Sequence, residues 1–477
     1  MVSPTLLLAS LLSFAFLSGL IGIRFKRGVA YILPIVFAVT LGLLIYMSRG
    51  VLDGGFLQGF TGGERPPYSI NLVLTPFSLL ILFLVHTLSF LLSIHLLIRG
   101  VPEPATKFVP LFILNILGVS SIILTGDLFN LFVFLEILSI SSVSLIGFMR
   151  DGKGLEGGLK YLIVGGVGSS LYLLAVIILY KYTGTLNMAD VGMRIGEVPE
   201  GMRRFVMLLI IAGLGVEAEI FPFNMWVPDA YQGADTRVTT LLASITSKAG
   251  MFGLVRVLFT VLGAGMNILL YLGVITFVIS ELMALKTKNI KRVLAYSSMG
   301  QAGLAMIAFG INTAASIAAG MLLMINHAVS KFVMFGSIEV LTDRFGLDDI
   351  KGIGLKSPVP AWSFLLATLS LLGFPFFIGF WVKLNLIFSL KPYLLVPVLL
   401  IFAVEIAYYT RILWTMFSGE AKMGKTLAGS SAVLLIGVVI VIALAFVYPY
   451  ILNLSVKGTS ELLFRGLYIY RVLGGGL

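Results

Sequence analysis

Apolar residues in this chain come in runs long enough to cross a bilayer, one after another, with short polar joints between them. A span needs about 20 apolar residues, and roughly fourteen runs begin near Pro4, Val29, Asn71, Phe108, Leu128, Leu159, Arg204, Thr236, Met266, Lys291, Ala314, Ala361, Leu394 and Leu427. In lipid the backbone finds no water, so each run has to close its own hydrogen bonds as a helix. That confines the chain to an all-α polytopic membrane fold with no sizeable soluble domain. Composition points the same way, with 58% of the 477 residues hydrophobic and 12% charged. The first run, Thr5 to Ile23, has no basic n-region before it and no clear small-residue cleavage site, so it reads as a span and not as a signal peptide.

The charges inside these runs carry the functional information. Glu217 and Glu219 sit in the run Phe205 to Phe223, and Lys248 sits in the next, Thr239 to Leu262. A charge at mid-membrane costs about 2.5 to 3.5 kcal/mol on insertion scales, so such residues face a bundle interior or a wet pathway. Pro222 removes a backbone donor just beyond the two glutamates, which predicts a kinked helix lining a hydrated ion path. Glu136 lies two turns into its span, after Asp127 and Asn130, which suit a helix start. It serves either as a proton carrier or as a hydrogen-bonded pin between helices. His327 and Lys331, four residues apart, share a helix face and suit a relay; alternatively one hydrogen bond fixes His327 and Lys331 snorkels. A second break falls at Gly373-Phe-Pro375, ahead of Lys383, and Glu405 lies in the middle of the following span. Two proline-interrupted segments in the two halves of a hydrophobic chain point to an inverted-repeat transporter.

Other polar residues read as structural. His86 and His95 fall on opposite helix faces and do not share a metal. Glu281 and Glu339 lie near span ends and read as interfacial, Arg256 as snorkelling, and Arg411 as approaching the inside surface. The loops Met47 to Tyr68 and Tyr182 to Arg204 read as outside connections. The tail from Ser455 to Leu477 lies on the outer surface or against a neighbour.

The chain has no cysteine, so disulfides, iron–sulfur ligation and thiol chemistry are excluded on it, and any redox centre belongs to a partner. The net charge of +11 is scattered over short loops, which fits membrane orientation and not nucleic acid. The positive-inside rule puts Arg24-Phe-Lys-Arg27 and Lys286-Thr-Lys-Asn-Ile-Lys-Arg292 inside and both termini outside. Scarce glutamine and absent cysteine lean towards a thermophile.

These residues resemble the antiporter-like subunits shared by Mrp-type cation/proton antiporters, respiratory complex I, and membrane-bound hydrogenases and related archaeal redox complexes. The resemblance runs through Asp127-Leu-Phe-Asn with Glu136, Phe221-Pro-Phe-Asn-Met-Trp-Val-Pro-Asp-Ala-Tyr, Ser247-Lys248, Lys291-Arg-Val-Leu-Ala-Tyr-Ser-Ser, His327 with Lys331, and Gly373-Phe-Pro through Gly379-Phe to Lys383. It implies about fourteen helices with two inverted five-helix repeats and broken helices 7 and 12. The chain would then divide into three N-terminal helices (1–106), a first repeat (107–262), a second repeat (263–420), and a last helix with the tail (421–477).

The midplane charges of that family map onto Glu136, Lys248, His327, Lys331 and Lys383, the last as the exit lysine. One departure matters: Glu217 stands where the family usually has a lysine, with Glu219 two residues on. Either Glu217 still passes protons with Lys248 as balancing cation, or the extra carboxylates favour sodium or close this half-channel. The resemblance implies transport and not chemistry on this chain: protons, or protons exchanged for sodium, moved in a plasma-membrane complex. Implied partners are further antiporter-like and small hydrophobic subunits, lipid, and hydrophilic redox subunits of a hydrogenase or sulfane reductase carrying iron–sulfur clusters and a nickel–iron site. The rivals are a stand-alone Mrp-type sodium/proton antiporter and a scaffold that has lost transport.

Overall fold

The computed structural model describes residues 3–26, 28–52, 55–420 and 428–474. Arg27 of the first basic loop, Leu427 and the last three residues of the tail lie outside them.

Helices α1 (Pro4–Arg24) and α2 (Ile32–Ser48) lead into an antiparallel hairpin of β1 (Leu57–Phe60) and β2 (Asn71–Leu74). Then come α3 (Pro76–Arg99), α4 (Ala105–Leu124), α5 (Leu128–Ile146), α6 (Gly152–Thr183) and a short α7 (Met188–Arg194). Next are α8 (Glu200–Glu217), α9 (Val227–Gly233), α10 (Thr236–Leu241) and α11 (Ser247–Arg256); π-helical turns join the last two into one rod, Thr236–Leu262. The remainder is α12 (Met266–Lys286), α13 (Ile290–Ile311), α14 (Ala314–Leu341), α15 (Ile353–Lys356), α16 (Pro358–Leu372), α17 (Ile378–Ser389), α18 (Pro392–Phe417), α19 (Ala428–Phe446), α20 (Tyr448–Leu463) and α21 (Arg465–Leu473).

Local chemistry starts these helices where the sequence places them. Ser3 caps α1 with Pro4 at its first turn, Asp127 caps α5 through the Asn130 N–H at 2.7 Å, and Thr75 and Thr313 form capping boxes with Ser78 and Ser316. Among the described residues, 11 helices are long and apolar enough to cross a membrane, or 13 if each of two bent pairs is one span. The expected seventh span is not in that count: α8 has 18 residues but carries Glu200, Arg203, Arg204 and Glu217, and it stops at the break after Glu217.

The most deeply buried helix is at the centre. The hydrophobic window of α14 is 100% buried, that of the rod 94% and that of α13 89%, whereas those of α1, α6 and α18 are 28 to 33% buried. Polar groups on α14 are enclosed by protein, so they have to find protein partners or water. Small residues let the central backbones approach: a Cβ on Gly303 would stand 2.6 Å from the Phe277 nitrogen, and one on Gly310 2.5 Å from that of Leu270.

Several expectations change. The first outside loop contains the hairpin, and the third span begins at Pro76 because Asn71–Leu74 pairs as β2; Asn71 is held by Gln58 at 3.0 Å and by Asn187 at 2.9 Å. The tail packs on its own chain: α20 bends 74° from α19, and Thr75 Oγ1 donates to Glu461 Oε1 at 2.6 Å. Arg256 does not snorkel. It is 1% exposed, donates to the Ile123 carbonyl at 2.8 Å, and stands 4.6 Å from the Phe252 ring centre. The tail covers the end of the rod that would have let it reach water. Glu281 is not interfacial either, being fully buried against α13. Glu339 stays near its helix end, bound by Arg99 at 2.9 Å and His95 at 3.1 Å.

Candidate functional site

The break in the seventh segment is wider than a proline kink. Helix α8 stops at Glu217, residues 218–226 are irregular around Pro222, and Glu219 adopts a left-handed backbone with φ +59°. A non-glycine residue in that region is strained, and such strain concentrates at functional sites. Side chains take up the freed backbone groups: Asn224 Nδ2 donates to the Glu219 carbonyl at 2.8 Å, Trp226 Nε1 to that of Val216 at 3.4 Å, and Thr276 Oγ1 accepts the Phe221 N–H at 3.1 Å. The two carboxylates diverge. Glu217 takes the Tyr161 hydroxyl, 2.7 Å from both oxygens, and Glu219 Oε1 takes that of Tyr231 at 2.6 Å. Tyr161 is stacked on Trp226 with ring centres 3.8 Å apart.

Lys248 follows the π-helical turn Leu242–Thr246, a distortion that recurs at functional sites. Its ammonium donates to the Ala243 carbonyl at 3.2 Å, to Ser247 Oγ at 2.8 Å, and to His327 Nδ1 at 2.7 Å. With Lys248 charged, Nδ1 is the acceptor and a neutral ring carries its proton on Nε2. Of the two carboxylates, Glu219 is the one that shares a cavity with Lys248, while Glu217 turns to α6. That cavity, about 20 Å³, is also lined by Gln301 and His327, and holds one water by volume. Glu219 Oε2, His327 Nε2 and Gln301 Oε1 all lack a partner among the described residues. One water has three polar atoms to bind there.

From Gln301 the contacts continue into the second half. Its Nε2 donates to Glu405 Oε1 at 2.8 Å, and Glu405 Oε2 takes the Lys383 ammonium at 2.6 Å. Lys383 sits on α17, just past the second break at Pro375, where Gly373 has φ +83°. Asn326 and Ser370 bind each other at 2.7 and 3.2 Å and tie this break to α14; Gly379 is required, since a Cβ there would lie 1.8 Å from the Ser370 carbonyl oxygen. Lys331 donates to the Leu294 carbonyl at 3.0 Å and to Tyr409 Oη at 3.2 Å, and Tyr409 meets Ser297 at 2.7 Å. His327 and Lys331 thus share a face of α14 but take different partners, and Lys331, fully buried, does not snorkel.

The core thereby gathers Glu219, Lys248, His327, Lys331, Lys383 and Glu405, with Glu217 one residue layer aside. Glu136 is not among them. It is half-buried on the face of α5 that also presents Val133 and Ile140, 37% and 56% exposed, and makes no hydrogen bond among the described residues, but it lies close enough to Glu217 for its charge to act there. Sequence reasoning missed Gln301, Tyr409, Tyr161 and Tyr231. Gln301 had a signal, as a neutral amide inside an apolar run; the tyrosines had none, because an aromatic ring in such a run is ordinary core. A vestibule of about 680 Å³ opens at the Asn289–Lys291 end, lined by Asp151, Lys153, Asp235 and Arg344, and there Lys291 donates to the Ala234 carbonyl at 2.5 Å.

A bundle with two broken segments and a buried row of ionisable groups defines an antiporter-like membrane subunit. The chain belongs to the NADH:quinone oxidoreductase/Mrp antiporter transmembrane family, whose profile matches residues 125–407. It is 30% identical to NADH-quinone oxidoreductase subunit N of Desulforudis audaxviator over 77% of this chain and 75% of that one. It is 28% identical to a Na(+)/H(+) antiporter subunit of Alkalihalophilus pseudofirmus over 92% and 93%. A chain in the structure of the membrane-bound sulfane sulfur reductase, an archaeal respiratory membrane complex, superposes with TM-score 0.93 at 32% identity, covering 98% of this chain and 99% of that one. The protein is an antiporter-like subunit of an Mrp- or complex I-type membrane complex, a setting its relatives share.

Proposed function

We propose that this chain moves protons across the plasma membrane as a subunit of a redox-driven complex, with hydrophilic partners that carry the iron–sulfur clusters and any nickel–iron site. The observation that carries the reading is the continuity of the buried row. Lys248 meets His327 directly, a cavity with room for one water lies between this pair and Glu219 and Gln301, and Gln301 holds the Glu405 that pairs with Lys383. Each ionisable member changes the charge seen by the next, so protonation at one end biases the other. Moving one charge through 100 mV costs about 2.3 kcal/mol, which is less than two pKa units at about 1.36 kcal/mol each, so modest shifts suffice to drive a cycle. An amide does not carry a proton as these groups do; Gln301 holds the two halves in electrostatic register.

The likeness to the sulfane reductase chain supports the redox setting, and the likeness to the Na(+)/H(+) antiporter chain supports a second reading, sodium/proton exchange in a stand-alone complex. In this reading Lys286–Arg292 lies inside and both termini outside, which the distribution of basic loop residues supports. The test is Lys383→Ala in the intact complex reconstituted in liposomes. Proton flux should fall to background while assembly is retained; full flux in an intact complex sinks the reading for this half of the chain.

A further inference from the structure

We propose that Glu281 is a proton-exchange site at the inner end of the second half of the core. The assignment rests on the transport reading above and adds to it a residue outside the midplane row.

Glu281 lies on α12, little more than a turn from its end at Lys286, and is fully buried. Neither carboxylate oxygen makes a hydrogen bond of full geometry among the described residues, although the Tyr408 hydroxyl stands within reach as a donor. An ionised carboxyl so poorly supplied with donors is expensive to bury, and for packing alone a leucine would serve better. A carboxyl in such a place makes sense when it alternately holds and gives up a proton. The facing helix is shaped around it: a Cβ on Gly300 of α13 would stand 2.0 Å from Glu281 Oε1.

Its surroundings supply a route. Tyr408 of α18 is fully buried beside it, with its hydroxyl close enough to act on the carboxyl as a donor. The Tyr408 ring lies 4.6 Å from that of Tyr409, whose hydroxyl meets Lys331. The charges acting on Glu281 come from every side of the second half: Glu405 of α18, Lys383 of α17 and Lys331 of α14. One turn further along α12, Arg411 donates to the Leu285 carbonyl at 2.8 Å and to that of Thr287 at 2.9 Å, which clamps α18 to the inner end of α12. Glu281 therefore stands between this clamp and the Lys331–Tyr409 contact. A proton leaves its carboxyl towards the tyrosine hydroxyls and is replaced from the inner side, with only O–H and N–H bonds broken and made.

The experiment uses the intact complex in liposomes, reporting flux with an internal pH dye, and compares Glu281→Gln, Glu281→Asp, Gly300→Ala and Lys383→Ala. Glu281→Gln keeps the shape and removes the exchangeable proton, so flux should fall about tenfold or more with assembly unchanged, while Glu281→Asp keeps a substantial fraction. A packing role predicts the reverse, tolerance of Gln and injury by the shorter Asp. Should Glu281→Gln fail to assemble, Gly300→Ala displaces the carboxyl without deleting it and should lower flux in the same way. Full flux in Glu281→Gln, or in an assembled Gly300→Ala where Gln does not assemble, overturns the assignment. If Lys383→Ala abolishes flux while Glu281→Gln does not, only Glu281 is wrong; if Lys383→Ala runs at full rate, the transport reading itself is wrong.

Discussion

Lys383 and Glu405 form a buried ion pair at 2.6 Å, with side chains 7% and 1% exposed. Removing one partner of such a pair leaves the other charged and unsolvated, at a cost of about 3 to 5 kcal/mol, whereas replacing both with apolar groups of similar size is close to neutral. Lys383→Met should therefore lower the apparent melting temperature of the assembled complex, and Lys383→Met with Glu405→Leu should recover most of it; neither should transport. A double variant that transports would show that the pair only holds helices together. Glu217 presents the opposite case. Both its oxygens are taken by one tyrosine, and it is Glu219 that faces Lys248. Glu217→Gln is accordingly expected to keep flux within about twofold, the size of a lost single hydrogen bond of roughly 0.5 kcal/mol, and Glu219→Gln to lower it well beyond that. Equal losses in both would restore Glu217 to the path. The charges themselves were legible because apolar runs make any ionisable residue conspicuous. Their partners were not, since Gln301 reaches Glu405 across more than a hundred residues and nothing local encodes that contact.

At the scale of elements, α8 and α11 meet where the path begins. A Cβ on Gly250 would lie 2.2 Å from the Glu217 carbonyl carbon, which is backbone and has nowhere to go. Gly250→Ala should push α11 from α8, cost about 1 to 3 kcal/mol, and lower flux although no charged residue is touched; melting and flux measured on the assembled complex check both halves of that expectation. The rod has a second dependence at its vestibule end. Asp235 caps α10 and accepts from Arg237 Nε at 2.8 Å and Nη2 at 2.7 Å. Burial pushes its carboxyl up, but the hydrogen bonds and charge of Arg237 outweigh this and hold it below the usual carboxylate range. A depressed carboxyl stabilises the fold above its unfolded value of about 3.9, and that contribution is lost as pH falls through the lower folded value. Asp235→Asn keeps the cap and drops the charge, so it should cost about 1 kcal/mol near neutral pH and progressively less below about pH 4. A pH-independent difference in melting would assign the effect to cap geometry. Most helix starts could be read from the runs, to within a few residues. The hairpin could not, because Leu57–Phe60 pairs with residues that look like the beginning of a span, and strand pairing leaves no periodic mark in four residues.

For the whole molecule, the membrane class followed from run length alone, and the family from motifs at the two breaks, since prolines and charges inside apolar sequence are rare enough to identify. What the chain assembles with leaves a weaker trace on it. Glu136 is half-buried on α5, near enough to Glu217 for its charge to act there, and shares its face with exposed Val133 and Ile140; a carboxyl beside lipid is costly, so a neighbouring subunit is expected to cover that face. Cysteine is absent, so an electron-driven complex has to place its iron–sulfur ligands on other chains. The two settings then differ in what accompanies the tagged chain when it is purified from its native membrane in mild detergent. A redox-driven complex should bring hydrophilic subunits and abundant iron, with nickel marking a hydrogenase and iron without nickel agreeing with a sulfane reductase. Small hydrophobic subunits with no iron would instead make an ion gradient the driving force, and the same row from Glu219 to Lys383 would work as half of an exchanger.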